Sequence, residues 1–247
     1  MGEDDFGREL MRRYSDEGIV MTYAKRLAGE ATGTALIFLG TDGQNAIGIY
    51  AAANSKLSRQ MVENLPSEAF SKNGVFLACL EIPLETVCAG LRRAKAAGMT
   101  TILNPAPFNP AILDKEILGL VDIITPNEEE AMGLTGRNRP CDAAERLIEQ
   151  GAKTVVVTLG SEGALRVAAD EASAKAFPAH AIKVVDTVGA GDAFNGALAA
   201  ALAAGRSCDA AIGWAVAAAS LSVAAEGAQG GLPDRARIDE FLRSTAQ

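Results

Sequence analysis

Chemistry concentrates first at Asp192, in the stretch VVDTVGAGDAFNGALAAALAAG from Val184 to Gly205. Asp192 directly follows Gly189, Ala190 and Gly191 and precedes an alanine-rich run, so the stretch reads as strand, tight turn, helix. The first N–H groups of a helix lack intrahelical partners, and glycine lets the backbone approach a ligand. The amides of Ala190, Gly191 and Asp192 can therefore form an anion-binding concavity. A carboxylate in that turn suits the helix dipole, yet a bound phosphate would repel it unless its task were to take a proton. One reading makes the turn a cap and Asp192 a dipole-matched acid. The other makes it a phosphoryl-transfer site, where the amides hold charge on the transferring group and Asp192 deprotonates an acceptor hydroxyl. A dinucleotide-binding fingerprint fits less well: Phe194 stands where a third small residue belongs, and Asp209 lies between helices rather than after a strand.

Other polar points fall after apolar runs. Asn127 and Glu130, in TPNEEEAMGLTG, stand three apart on a new helix and can face one ligand across its first turn. The same spacing is that of a capping box. The strand Lys153–Thr158 runs into LGSEGA, a glycine turn that suits a nucleotide base or phosphate edge. Glu81 follows VFLACL and Asn104 follows TTIL, at strand ends where parallel α/β sheets gather ligands. Glu81 reads equally as a loop-solvated acid. The only histidine, His180, sits in a connector between Pro178 and Ile182 and reads as surface.

The elements that must position these residues alternate in type. Phe6, Leu10 and Met11 mark an opening helix closed near Gly18. Residues 33–53, GTALIFLGTDGQNAIGIYAAA, give two apolar strands around a TDGQN hairpin signal. Strand Val75–Leu80, helix Leu84–Ala97, strand Thr100–Leu103 and strand Val121–Ile124 then set an αβ rhythm, which argues for a parallel sheet covered on both faces. Ser207–Ala225 reads as a buried alanine-rich helix in which Trp214 packs, and Arg235–Arg243 as an amphipathic one.

The 247 residues, 49% hydrophobic, suffice for one sizeable core. A net charge of −8 argues against nucleic acid as a partner. Cys79, Cys88, Cys141 and Cys208 are scattered, with neither zinc-ligand nor disulfide spacing, and fit a reducing cytoplasm. Residues 1–7 are acidic where a secretory signal would be basic, and the longest uncharged run, 210–225, is short for a membrane span, so no membrane partner is expected.

The string DTVGAGDAFNGAL resembles the C-terminal signature of the ribokinase (PfkB-type sugar kinase) family, DTxGAGD followed by F and G. The resemblance implies an α/β fold, a three-layer αβα sandwich with a mainly parallel central sheet and a small β lid. It implies an ATP-dependent sugar kinase with Asp192 as general base and the amides of Ala190, Gly191 and Asp192 as the γ-phosphate hole. ATGTALIFLGTDGQNAIGIYAAAN resembles the family's lid, a frequent dimer contact, which implies a homodimer through residues 33–53. LEIP and LNPAP resemble family strings and imply Glu81 as a sugar ligand, with D-ribose the sugar and ribose 5-phosphate the product. The NxxE pattern implies Asn127 at the nucleotide and Glu130 on magnesium through water. TLGSEG resembles TLGxxG and implies ATP contacts from Thr158, Gly160, Ser161 and Gly163. A monovalent-cation site, potassium in the family, would draw on Asp186, Val188, Ser222, Ala225, Gly227 and Gly231, although GAQGG places Gly231 where a serine ligand is usual. The family's opening NxD and GGKGxN strings occur nowhere in the chain. The expectation is one domain over residues 1–247, N-terminally incomplete, with the true start upstream. The alternatives are another family sugar or nucleoside kinase, or an inactive nucleotide- or sugar-binding fragment.

Overall fold

The computed structural model describes residues 1–39 and 45–245. The chain forms two compact units, one of residues 1–70 with 80–93, the other of residues 71–79 with 94–247.

In the first unit, helix α1 (Asp5–Asp16) starts because Asp4 caps it, accepting from the Gly7 N–H at 2.8 Å. The same carboxylate accepts from the N–H and hydroxyl of Thr32 at 2.7 and 2.6 Å, tying the helix start to a residue 28 positions on. These bonds, led by the Thr32 hydroxyl, lower the Asp4 pKa to about 2. Gly18 closes the turn after the helix at φ 74°. Strands β1 (Thr34–Leu39) and β2 (Asn45–Tyr50) pair antiparallel with Thr34 opposite Tyr50 and Leu36 opposite Gly48, the two strands expected of residues 33–53. Residues 40–44, most of the TDGQN turn, lie outside the described residues. Helix α2 (Arg59–Glu63) follows, capped by Ser58. Arg93, in α3 (Leu84–Ala96), then fastens the chain beyond α2. Its guanidinium lies 4.4 Å from the centre of the Phe70 ring and donates to the carbonyls of Val62 and Leu65.

The second unit is built on a six-stranded sheet in chain order: β3 (Val75–Ala78), β4 (Thr100–Leu103), β5 (Ile123–Ile124), β6 (Thr154–Thr158), β7 (Ala164–Ala168) and β8 (Lys175–Phe177). The pairings from β3 to β6 are parallel, and those of β7 and β8 are antiparallel. Helices α4 (Lys115–Gly119), α5 (Glu128–Thr135) and α6 (Pro140–Glu149) connect the strands, and α7 (Ala190–Ala203), α8 (Cys208–Ser222) and α9 (Arg235–Thr245) complete the unit. Ile102, Ile123 and Val156 from the sheet share one core with Phe194 and Leu198 of α7, Ile212 and Trp214 of α8, and Ile238 of α9. Each such fully buried side chain stabilises by about 1.5–3 kcal/mol over leaving it in water. The Trp214 indole packs as expected and donates to Asp239 at 2.8 Å.

The structure departs from the sequence reading at three places. The run Val184–Val185 is no strand: both side chains are more than half exposed, and the N–H groups of Val185 and Asp186 donate to the Val223 carbonyl beyond α8. A helix end, not a sheet neighbour, supplies its acceptor. Strands β7 and β8 were hidden by charge. Arg166, in the middle of β7, is buried and pairs with Glu171 at 2.5 Å and with Asp209 of α8 at 3.0 Å. His180 is half-buried, its ring 4.9 Å edge-on from Phe241, rather than at the bare surface.

Candidate active site

Helix α7 starts from Gly189, whose φ of 81° is left-handed and where a Cβ would stand 2.9 Å from the Ala228 carbonyl oxygen. Glycine is needed there on both counts. In the turn that follows, Ala190 N–H donates to Thr187 O at 3.2 Å and Ala193 N–H to Gly189 O at 2.8 Å. The Gly191 and Asp192 N–H groups have no partner among the described residues, and both residues are exposed. The expected three-amide concavity is thus narrower, since the Ala190 amide is turned to its own loop. Two unpartnered donors at a helix start, next to an exposed carboxylate, can hold an anion and take a proton from a neighbouring hydroxyl.

What fixes this turn is a residue that sequence reasoning passed over. Asn195, one turn into α7 and 5% exposed, donates through Nδ2 to Gly191 O at 2.9 Å and accepts from the Thr125 hydroxyl at 2.6 Å. Thr125 follows β5 and is 1% exposed; its carbonyl accepts from Asn104 Nδ2 at 2.8 Å. Asn104, expected at a strand end as a ligand position, is instead committed to its neighbouring strand. The available signal was an amide side chain on the otherwise apolar face of AFNGAL.

Two residues beyond Thr125, Asn127 caps α5. Its Oδ1 accepts from Glu130 N–H at 2.8 Å, and Glu130 Oε2 accepts from Asn127 N–H at 2.9 Å, a complete capping box. Burial, and then the charge of Glu129, raise the Glu130 pKa against the Asn127 N–H, which lowers it. An open cavity of about 370 Å³ lies here, lined by Phe108, Asn127, Glu129, Glu130 and Gly133. The carboxylates of Glu129 and Glu130 both line the cavity, and such hard oxygen donors suit a divalent cation such as magnesium.

The glycine turn after β6 is held to this corner, because Thr158 N–H donates to Pro126 O at 3.0 Å. Gly160 stands in the open at φ 54°, and Ser161 is exposed. Gly163, at φ 96°, answers to packing: a Cβ would run into the carbonyl oxygen of Phe177. Hydrogen bonds thus run from Thr158 to Pro126 and, from its chain neighbour Thr125, through Asn195 to Gly191, across the ends of β5 and β6 and the start of α7. Glu81 belongs to the first unit, where its side chain is exposed.

Residues 1–235 match the pfkB family of carbohydrate kinases. The chain is 35% identical over 247 residues to a ribokinase of Haemophilus influenzae, covering 98% of this chain and 79% of that one. The chain belongs to the pfkB family of carbohydrate kinases. Its fold is ribokinase-like: the crystal structure of Thermotoga maritima ribokinase superposes with a TM-score of 0.84 at 35% identity, over 98% of this chain and 79% of that one. Arabidopsis thaliana ribokinase, in complex with ribose and ATP, gives 0.85 at 31% identity, over 98% and 80%.

Within this pfkB kinase, the donor set expected for a monovalent cation has one member screened and one without a side chain. Both Asp186 carboxylate oxygens accept N–H bonds, from Val188 at 3.0 Å and Gly227 at 2.8 Å. The Ser222 carbonyl is covered by Gly231, where any Cβ would overlap it, and the Ser222 hydroxyl donates back to Ala219 O at 2.8 Å. Val188, Ala225 and Gly227 can offer their carbonyl oxygens, whereas the position of the usual serine has no side chain.

Proposed function

We propose that this carbohydrate kinase transfers the γ-phosphoryl group of ATP to the 5-hydroxyl of D-ribose, giving ribose 5-phosphate and ADP. The observation that carries the reading is the pair of unpartnered N–H groups at Gly191 and Asp192 beside an exposed carboxylate. Relatives that are ribokinases, one of them crystallised with ribose and ATP, support the choice of sugar.

In this reading Asp192 accepts the proton of the primary hydroxyl as its oxygen bonds to the γ-phosphorus and the bridge to ADP breaks. The Gly191 and Asp192 amides face the charge developing on the transferring group. Asn127, Thr158, Gly160, Ser161 and Gly163 are assigned to the nucleotide side, Glu81 with Asp192 to the sugar. Magnesium, when bound, neutralises phosphate charge, and the Glu130 oxygen left over from the capping box would hold its water. No step is routed through a monovalent cation. The hairpin of residues 33–53 is assigned as lid and as the contact of a homodimer.

Asp192→Asn tests the base. Turnover should fall by about 10²–10⁴-fold while calorimetric ATP binding stays within error of wild type. Substantial residual turnover removes Asp192 from the role.

A further inference from the structure

We propose that Asn195 and Thr125 act together as the positioning pair of the phosphoryl-transfer turn, holding the Gly191–Asp192 amides in register with the Asn127–Glu130 corner. The inference rests on the kinase reading of that turn but concerns residues that touch no reactant. Thr125 and Asn195 are 70 positions apart, both almost wholly buried, and joined at 2.6 Å. Asn195 spends its other polar end on the Gly191 carbonyl, which belongs to the peptide that carries the free Asp192 N–H; the free Gly191 N–H is on the peptide just before it. A buried amide with both ends engaged has one orientation, so it transmits the position of the strand end to the helix start.

The chemistry of the environment makes the pair selective. A leucine at 195 would fill the same space, leave the Thr125 hydroxyl only its long contact to Leu103 O, and leave one acceptor site of Gly191 without a partner. An aspartate could accept from Thr125 but would oppose a second acceptor to the Gly191 carbonyl. At Thr125 the hydroxyl is the active part, since it also reaches Leu103 O at 3.4 Å, while its methyl only fills space. Two residues on, Pro126 O and the Asn127 cap fix the β6 turn and α5. The pair therefore bolts together the two corners that a nucleotide must bridge.

The test compares Thr125→Val, Thr125→Ser and Asn195→Leu with wild type in the full-length protein. Ribose phosphorylation should lose about ten- to a hundredfold in kcat in the Val and Leu variants, with KM for ribose little changed, because small misplacements of a catalytic group cost that much. The Ser variant, which keeps the hydroxyl, should recover most of it. Hydrogen exchange read by mass spectrometry on peptides covering residues 187–195 gives a second readout that needs neither substrate. The Val and Leu variants should exchange faster there and nowhere else in α7 or α8. Unaltered exchange in 187–195, or folded Val and Leu variants with wild-type kcat, overturns the proposal. If wild type phosphorylates no sugar, the kinase reading fails by itself, and the exchange pattern still decides whether the pair holds the turn.

Discussion

At Glu130 one carboxyl group meets two demands. One oxygen closes the capping box of α5, while burial and the neighbouring Glu129 charge raise its pKa. The folded state therefore binds this proton more tightly than the unfolded chain. The group's contribution to stability is full below the unfolded pKa and lost as pH rises through the raised folded value, so near neutrality its charge is a burden. Glutamine can accept the same Asn127 N–H. Glu130→Gln should unfold at the wild-type temperature or above it, yet lose about tenfold in turnover at limiting magnesium, as expected when a group that orients a metal's water is removed. Thermal melts and a magnesium titration of initial rates check both halves; a variant that melts earlier and keeps its magnesium response would leave Glu130 a cap only. The helix start at Asp192 and the capping box of Asn127 and Glu130 were legible in the sequence because acid, amide and glycine spacing at a helix start constrains the backbone. Asn195 was not, because its partner Thr125 is distant in the chain and meets it only in the folded unit.

Among the elements, the loop of residues 226–231 shows how a small change in residue type redirects a site. Gly231 packs on the Ser222 carbonyl and brings no hydroxyl, so one expected ligand is screened and another is missing, leaving only Asp186 and the carbonyls of Val188, Ala225 and Gly227 to hold a cation. A ligand that binds only the folded state raises its melting temperature. We expect the same melting midpoint and the same turnover in potassium and in tetramethylammonium chloride at equal ionic strength, whereas a clear rise in either with potassium would restore the cation site. At the opposite ends of the strands, Asp122 accepts from Lys95 at 2.8 and 2.9 Å, from Lys153 at 3.0 Å and from Thr101 N–H at 3.0 Å. Burial alone would raise its pKa, but these donors together lower it to about 2. The sign is the reverse of that at Glu130: the stabilisation is full above the unfolded carboxyl value and lost as pH falls through the folded one. Asp122→Asn should cost about 1–2 kcal/mol at neutral pH, allowing for partial solvent screening. It should also flatten acid unfolding between about pH 4 and pH 2 and leave turnover per folded molecule unchanged, as denaturant titrations and assays would read. Elements with strong period and clear ends, such as β4 and α3, were legible from sequence. Local pattern failed where tertiary partners decide, at Val184–Val185, whose acceptor is a helix end, and at β7, whose central arginine is neutralised by α8.

For the whole molecule, association sets the net charge of −8 against the apolar surface of the hairpin. The strand register puts Leu36, Phe38 and Tyr50 on one face, each 60% exposed or more. Like-charged copies repel at low ionic strength, and salt shortens that repulsion without weakening apolar contact. A stable dimer commonly buries about 800 Å² on each partner, more than three side chains supply, so the backbone and both edges of the hairpin must join the contact. The proposed homodimer should therefore be concentration-dependent and stronger in moderate salt. In sedimentation velocity the wild-type mass should rise from the 25.6 kDa monomer toward twice that value with concentration. Phe38→Glu, which adds a charge at the middle of the face, should hold the protein at the monomer mass over the same range with an unchanged far-ultraviolet spectrum. Equal masses for the variant and wild type at every concentration would take the hairpin out of the interface, whatever the oligomeric state proves to be.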